Sequence, residues 1–217
     1  MIEIRNLRKS YKSTVLYDDF SISFEENRIS GIIGASGCGK TTLLRVMAGL
    51  EPYEAGTVSG MNAGDGISFV FQEDRLLPWL NVYKNIELVL RAKMSAEEAE
   101  KRITEVLELL DMKKAKDLMP SELSGGMQRR VAIGRALAFD SDVLLLDEPF
   151  KGLDDKLKNE ILNELTVIWG RHHKTIILVT HDLEDAYRLA DTIYEFSGRP
   201  VGWNRIRGAG IAGSDGS

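Results

Sequence analysis

Apolar residues recur along this chain in three rhythms, and each rhythm predicts a different element. Residues 2–7 (Ile-Glu-Ile-Arg-Asn-Leu) and 20–24 (Phe-Ser-Ile-Ser-Phe) alternate with a period of two, as half-buried strands do. Residues 29–33, 67–71, 143–146, 175–180 and 192–196 are short apolar, mostly β-branched or aliphatic runs, which predict buried strands. The third rhythm is helical. It places Leu43, Leu44 and Met47 on one face, then Val82, Ile86, Val89 and Leu90 behind a capping Asn81. Ser95 and Glu98 have capping-box spacing, and Ala99, Ile103, Val106, Leu107 and Leu110 carry the stripe onward. Glu97, Glu100, Lys101 and Glu108 between them mark a solvated face. Leu157, Ile161, Leu165 and Ile168 share another helical face, and a short helix is expected from Asp182.

Read in order, these elements predict an α/β fold. Two alternating strands ahead of a buried one suggest an antiparallel β layer leaning on a mostly parallel sheet. Turns are expected at residues 25–27, and at Pro52 and Gly56. Helical character dominates 76–126, which reads as an inserted helical subdomain within one domain; residues 1–75 and 127–207 form its α/β core. The Gly-rich stretch 208–217 has nothing to bury and is expected to be disordered. There is no internal repeat.

Composition narrows the setting. A chain of 217 residues can bury roughly 70% of its unfolded surface and needs neither disulfides nor a structural metal. Its single cysteine, Cys38, has no partner in the chain, which fits a reducing compartment. The first residues lack a signal peptide's basic-then-apolar order, and no apolar run approaches the ~20 residues of a spanning helix. A soluble protein is expected, with membrane partners left open. The net charge of −5 argues against nucleic acid as the main partner.

The chemistry starts at Gly34-Ala35-Ser36-Gly37-Cys38-Gly39-Lys40-Thr41-Thr42, between a buried strand and a helix. Glycines let a backbone wrap an anion, and the loop N–H groups and helix N-terminus point at phosphates. Lys40 can reach the β- and γ-phosphates, and the Thr41 hydroxyl can ligate Mg²⁺. Asp147-Glu148 closes a strand of pure aliphatics, at the sheet edge where open α/β sheets place ligands. Asp147 suits the Mg²⁺ shell, and Glu148 can polarise a water for in-line attack on the γ-phosphate. A second glycine pair, Leu123-Ser124-Gly125-Gly126, opens a helix with Met127, Val131 and Ala138 inward and Arg129 and Arg130 nearby. It reads equally as a tight turn or as another anion site. Two such sites for one triphosphate suggest that they face each other across a dimer. His172-His173 reads as a solvated turn, because no cysteine or carboxylate cluster accompanies it. Cys38 reads as a small loop residue whose thiol, near a helix N-terminus, is expected to react with a reagent that the bound triphosphate excludes.

These motifs together resemble the nucleotide-binding subunit of ABC transporters. The phosphate loop resembles that family's Walker A, Leu123 through Gln128 its signature motif, and Val143 through Glu148 its Walker B. Gln72 resembles the Q-loop glutamine, His181 the switch histidine, Asp154 in Gly152-Leu153-Asp154 the D-loop, and Tyr11 the aromatic on which adenine stacks. The motifs follow family order from Tyr11 to His181. Met127 replaces the commoner glutamine and Leu153 the commoner alanine, and neither change removes a reacting group. The resemblance implies a P-loop ABC ATPase fold. It also implies a head-to-tail homodimer around two MgATP, each sandwiched between Walker A of one subunit and Ser124 and Gly126 of the other. It assigns water activation to Glu148, a γ-phosphate contact to His181, and a metal- and water-sensing role to Gln72. Residues 72–82, with Leu76, Leu77 and Trp79, would receive a membrane permease, although these side chains read equally as subdomain core. The run Arg75-Leu76-Leu77-Pro78-Trp79 resembles importers of nitrate, sulfonates and taurine, whose ATPase subunit sits at the cytoplasmic face of the membrane and depends indirectly on a periplasmic or extracellular solute-binding protein. The alternative is a soluble ABC-type ATPase acting as a clamp on nucleic acid or ribosomes, but such relatives carry a long coiled-coil insertion or two cassettes.

Overall fold

The computed structural model describes residues 1–61, 66–172 and 174–207. The stretch 208–217 and His173 lie outside the described residues, as do the side chains of Ile168 and His172. The chain divides into two compact units, Met1–Gly60 with Leu178–Ser217, and Met61–Ile177.

In the first unit, β1 (Ile2–Tyr11) and β2 (Thr14–Phe24) form an antiparallel hairpin in which Ile4 faces Ile22. The period of two buries Ile2 and Ile4 on one strand and Phe20, Ile22 and Phe24 on the other, and a register shift after Ile4 lets Leu7 be buried as well. On the far side of β1 lies β4 (Ala55–Ser59), so the three-stranded sheet runs β2-β1-β4. Gly56 is therefore inside a strand and not at a turn. A Cβ there would lie 2.7 Å from the carbonyl oxygens of Arg5 and Asn6, at a φ of +106°, so the glycine lets β4 close onto β1. The buried run β3 (Ile29–Gly34) leads through the glycine loop into α1 (Lys40–Met47). Parallel to β3 runs β8 (Thr192–Ser197), and β9 (Gly202–Arg207) pairs antiparallel with β8. Ahead of β8 in the chain, α6 (Leu183–Leu189) starts at Asp182, whose carboxylate accepts from the amides of Glu184 and Asp185.

In the second unit, β5 (Ile67–Val70) and β6 (Val143–Asp147) are parallel, pairing Ile67 with Val143 and Phe69 with Leu145. Three helices gather here: α2 (Val82–Glu87), α3 (Ala96–Leu109) and α4 (Gly125–Phe139). Asn81 caps α2, and the Ser95–Glu98 capping box on α3 is complete in both directions. Ile86, Leu90, Ile103 and Leu110 are fully buried. Helix α2 stops at Glu87, so Val89 and Leu90 lie in the turns beyond it. The unit continues through α5 (Asp155–His172) into β7 (Thr175–Val179), which runs across its boundary.

Candidate nucleotide site

The glycine loop owes its shape to β2 as much as to its own glycines. Tyr17, fully buried on β2, donates its hydroxyl to the Gly39 carbonyl at 2.9 Å. Gly39 sits at φ +107° as the residue before α1, and a Cβ there would meet the Tyr17 hydroxyl at 2.8 Å. A side chain is thus excluded by both conformation and space. Burial pushes the Tyr17 phenol far above its ordinary pKa, so it stays a neutral donor at any physiological pH.

Lys40 is 7% exposed, and its ammonium donates to the Gly34 and Ala35 carbonyls at 2.7 and 2.9 Å. The charge is therefore held over the loop, where phosphate oxygens can exchange for carbonyls. Cys38 turns inward, 8% exposed, with Sγ 3.8 Å from the same ammonium. Labelling of its thiol must therefore wait on loop opening. A cavity of about 350 Å³ lies against this loop, lined by Tyr11, Leu16, Lys40, Thr41, Thr42 and Arg199. Arg199 was not legible as a site residue; its guanidinium donates to the Gly37 carbonyl at 3.1 Å.

Tyr11 is 45% exposed, and the Lys9 ammonium lies 4.6 Å from its ring centre. Lys9 is itself nearly buried, paired with Glu51 at 2.8 Å and donating to the Pro52 carbonyl at 2.7 Å. The hydrogen bond to Glu51 raises the Lys9 pKa, and the same bond lowers that of Glu51. An aromatic face is thereby presented from a fixed ion pair and not from a loose strand end. His181, exposed, follows β7, and the Thr180 hydroxyl accepts from the Asp182 amide at 3.0 Å.

The remaining predicted residues lie in the second unit. Asp147 ends β6 and is 1% exposed; Glu148 is half-buried at φ +49°. That backbone conformation costs a non-glycine residue on the order of 1–3 kcal/mol and turns the chain sharply off the strand end. Gln72, exposed, stands two residues beyond β5. Ser124 caps α4, its hydroxyl accepting from the Met127 amide at 3.3 Å, and Ser124 and Gly125 are exposed at that end. The second glycine pair is thus a helix N-terminus, with a positive dipole end available to an anion. Met127 is only half-buried, whereas Val131 and Ala138 are fully inward.

Asp154 is engaged within its own unit. One carboxylate oxygen accepts from the Leu157 amide at 3.0 Å, capping α5, and the other pairs with Arg130 at 3.2 Å. The Leu157 amide, aided by Arg130, holds its carboxyl below the usual range.

The residue that the sequence pattern missed most completely is Arg129 of α4. It is 3% exposed, and its guanidinium donates to backbone carbonyls of both the Gln72 and the Glu148 segments. Among the described residues no group of three or more His, Cys, Asp or Glu could hold a metal ion. A Mg²⁺ site built from one carboxylate, one hydroxyl and phosphate oxygens needs none.

Comparison with known proteins agrees with this geometry. A family model described as ABC transporter matches residues 17–151. The aliphatic sulfonates import ATP-binding protein SsuB of Bacillus licheniformis is 42% identical over 197 residues, covering 88% of this chain and 76% of that protein. The sulfate/thiosulfate import ATP-binding protein CysA of Ralstonia nicotianae is 38% identical, covering 88% of this chain and 55% of its own length. The spermidine/putrescine import ATP-binding protein PotA of Haemophilus influenzae is 37% identical, covering 89% and 54%. The chain thus spans little more than half of the latter two. Among solved structures, an ATP-binding cassette in a dimeric post-hydrolysis state bound to ADP and Pi superposes with a TM-score of 0.85 at 30% identity, covering 96% of this chain and all of that one. The fold is that of the P-loop ABC ATPases, and the chain belongs to the ABC transporter family as its ATP-binding, ATP-hydrolysing cassette.

Proposed function

We propose that this chain powers a membrane importer by ATP-driven, head-to-tail pairing of two copies. The observation that carries this reading is that one chain presents two helix N-termini suited to phosphate, at Lys40 and at Ser124, for one triphosphate. The dimeric ADP-bound relative supports pairing. Tyr11 would stack the base, and residues 34–42 would cradle the phosphates. Ser124, Gly125 and Gly126 of the other copy would cap the γ-phosphate, with Asp154 at the same junction. Thr41 and Asp147, with Gln72, would hold Mg²⁺, which when bound neutralises charge on the β- and γ-phosphate oxygens. Glu148 accepts a proton from the attacking water, and the bond between Pγ and the bridging oxygen breaks, giving ADP and phosphate. His181 steadies the γ-phosphate.

Trp79, 68% exposed, with half-buried Leu76 and Leu77 beside it, supplies an apolar surface for the permease within residues 72–82. The half-burial of Leu76 and Leu77 supports a packing role for them, and the exposure of Trp79 supports the permease contact. We read residues 76–126 as the helical part that moves with Gln72. No helix among the described residues is long and apolar enough to cross a membrane. A peripheral place on the cytoplasmic face follows from the proposed permease. The sulfonate importer relative supports a small sulfonate-like solute, delivered by a solute-binding protein; sulfate and polyamine importers are also similar. Glu148→Gln tests the reading: ATP still binds, hydrolysis nearly stops, and an ATP-bound dimer accumulates on a sizing column. Turnover at the parental rate would overturn the assignment.

A further inference from the structure

The strongest unexplained feature is a buried cation inside α4. All the donor groups of the Arg129 guanidinium are engaged, and they divide between two chain segments. Nη1 donates to the Phe71 carbonyl, to that of Gln72 at 3.5 Å and to the Asp74 carboxylate at 3.2 Å. Nη2 donates to the Asp147 carbonyl at 3.2 Å and to that of Glu148, while Nε donates to the Pro149 carbonyl at 2.9 Å. One edge of a rigid plane thus holds the segment carrying Gln72, and the other edge holds the segment carrying Glu148. Arg135, further along α4, adds bonds to the Arg75 and Asp74 carbonyls. The bonds to residues 147–149 fall on the backbone around Glu148, whose left-handed conformation has to be held from outside itself.

We propose that Arg129 is the positioning residue for hydrolysis: it fixes Gln72 and Glu148 to the helix that carries Ser124 and Gly126. The inference rests on the function proposed above. Its added content is that the two reacting segments and the anion-capping end of α4 move as one body. Displacing α4 along its axis draws on five carbonyls at once, so contact at Ser124 is felt at Glu148 of the same chain. A lysine cannot replace this, because a single ammonium lacks the planar fork that serves two segments. Arg129 touches no reacting atom.

Arg129→Ala and Arg129→Lys are compared with the parent at a temperature well below both melting transitions. Displacement of reacting groups by about 1 Å can cost 10²-fold, so kcat is expected to fall by roughly 10- to 100-fold, with nucleotide affinity within about twofold. Millimolar guanidinium added to Arg129→Ala should recover kcat without changing affinity, and methylammonium should not. A purely structural role would instead lower melting temperature and affinity together and leave guanidinium without effect on kcat. That result, or parental kcat in both variants, overturns the inference. If Arg129→Ala does not fold, Arg129→Lys carries the comparison alone. A Glu148→Gln protein that fails to dimerise with ATP would sink the proposed function separately, whatever Arg129 does.

Discussion

Asn85 offers the sharpest test of how the exposed Trp79 segment is held. It is fully buried on α2, and both ends of its side-chain amide are hydrogen-bonded. The amide oxygen accepts from the Leu77 amide at 2.9 Å, and the nitrogen donates to the carbonyls of Leu77, Leu80 and Asn81 at 3.2, 2.7 and 3.1 Å. Truncation to alanine does not orphan all four partners. The Leu77 carbonyl keeps the Leu80 amide, and the Asn81 carbonyl keeps the Asn85 amide. The Leu77 amide and the Leu80 carbonyl then lose the side chain that meets them. At about 1–3 kcal/mol for each unsatisfied group, and with water able to reach a surface loop, Asn85→Ala should lose about 2–4 kcal/mol.

Asn85→Asp keeps the acceptor for Leu77 but turns a carboxylate oxygen towards three carbonyls. Its folded-state pKa must therefore rise above the unfolded value of about 3.9. A carboxyl raised on folding costs nothing while both states are protonated. The cost grows as pH climbs through the unfolded value towards the folded one. At neutral pH the aspartate should thus be the less stable of the two variants, and the order should narrow or reverse on acidification. Urea unfolding read at several pH values measures this, and hydrogen exchange at the Leu77 amide reads the local effect. A loss under about 0.5 kcal/mol for alanine, with Leu77 still protected, would refute the reasoning. So would an aspartate variant insensitive to pH. Under the proposed function, basal ATP hydrolysis survives in both variants and stimulation by the membrane subunit drops.

Four further outcomes are expected. Lys40→Ala should abolish measurable nucleotide affinity with the fold intact, and Arg199→Ala should weaken ATP more than adenosine in equilibrium dialysis; equal losses would place Arg199 outside the phosphate site. The contribution of Lys9–Glu51, read as the stability gap between the parent and Lys9→Met, should be flat between the two ordinary values of 4.5 and 10.5. It should shrink as pH falls below the first, where the lowered Glu51 takes a proton, and as pH rises past the second, where the raised Lys9 loses one. A gap unchanged below pH 4.5 would contradict the pairing. Finally, a maleimide should label Cys38 slowly and ATP should slow it further, whereas immediate labelling would deny the burial at 8% exposure.

What could be read from the sequence was what a short window contains. The strands β1, β2, β3, β6 and β7 announce themselves by alternation or by aliphatic runs, and the caps at Asn81, Ser95, Ser124 and Asp182 by residue type and spacing. Each is stabilised by groups within a few positions, so a local pattern is a sufficient record of it. Strand β9 is exposed at every residue and has no alternation to detect. Strand β4 hides because its glycine looks like punctuation until β1 is seen pressed against it. The same limit separates two kinds of site residue. Lys40, Glu148 and Ser124 stand inside short motifs and can be recognised from their neighbours in sequence. Tyr17, Arg199 and Arg129 act on backbone carbonyls that lie 22, 162 and up to 58 positions away, and backbone carbonyls leave no residue type to recognise. Nothing in residue type or spacing separates the two arginines beside the second glycine pair. Arg130 meets an exposed carboxylate, whereas Arg129 carries the buried contacts that join Gln72 to Glu148. A motif names the groups that react; the contacts that fix their separations are distributed over the rest of the chain, so mutations that spare every motif residue should still be able to uncouple hydrolysis from binding.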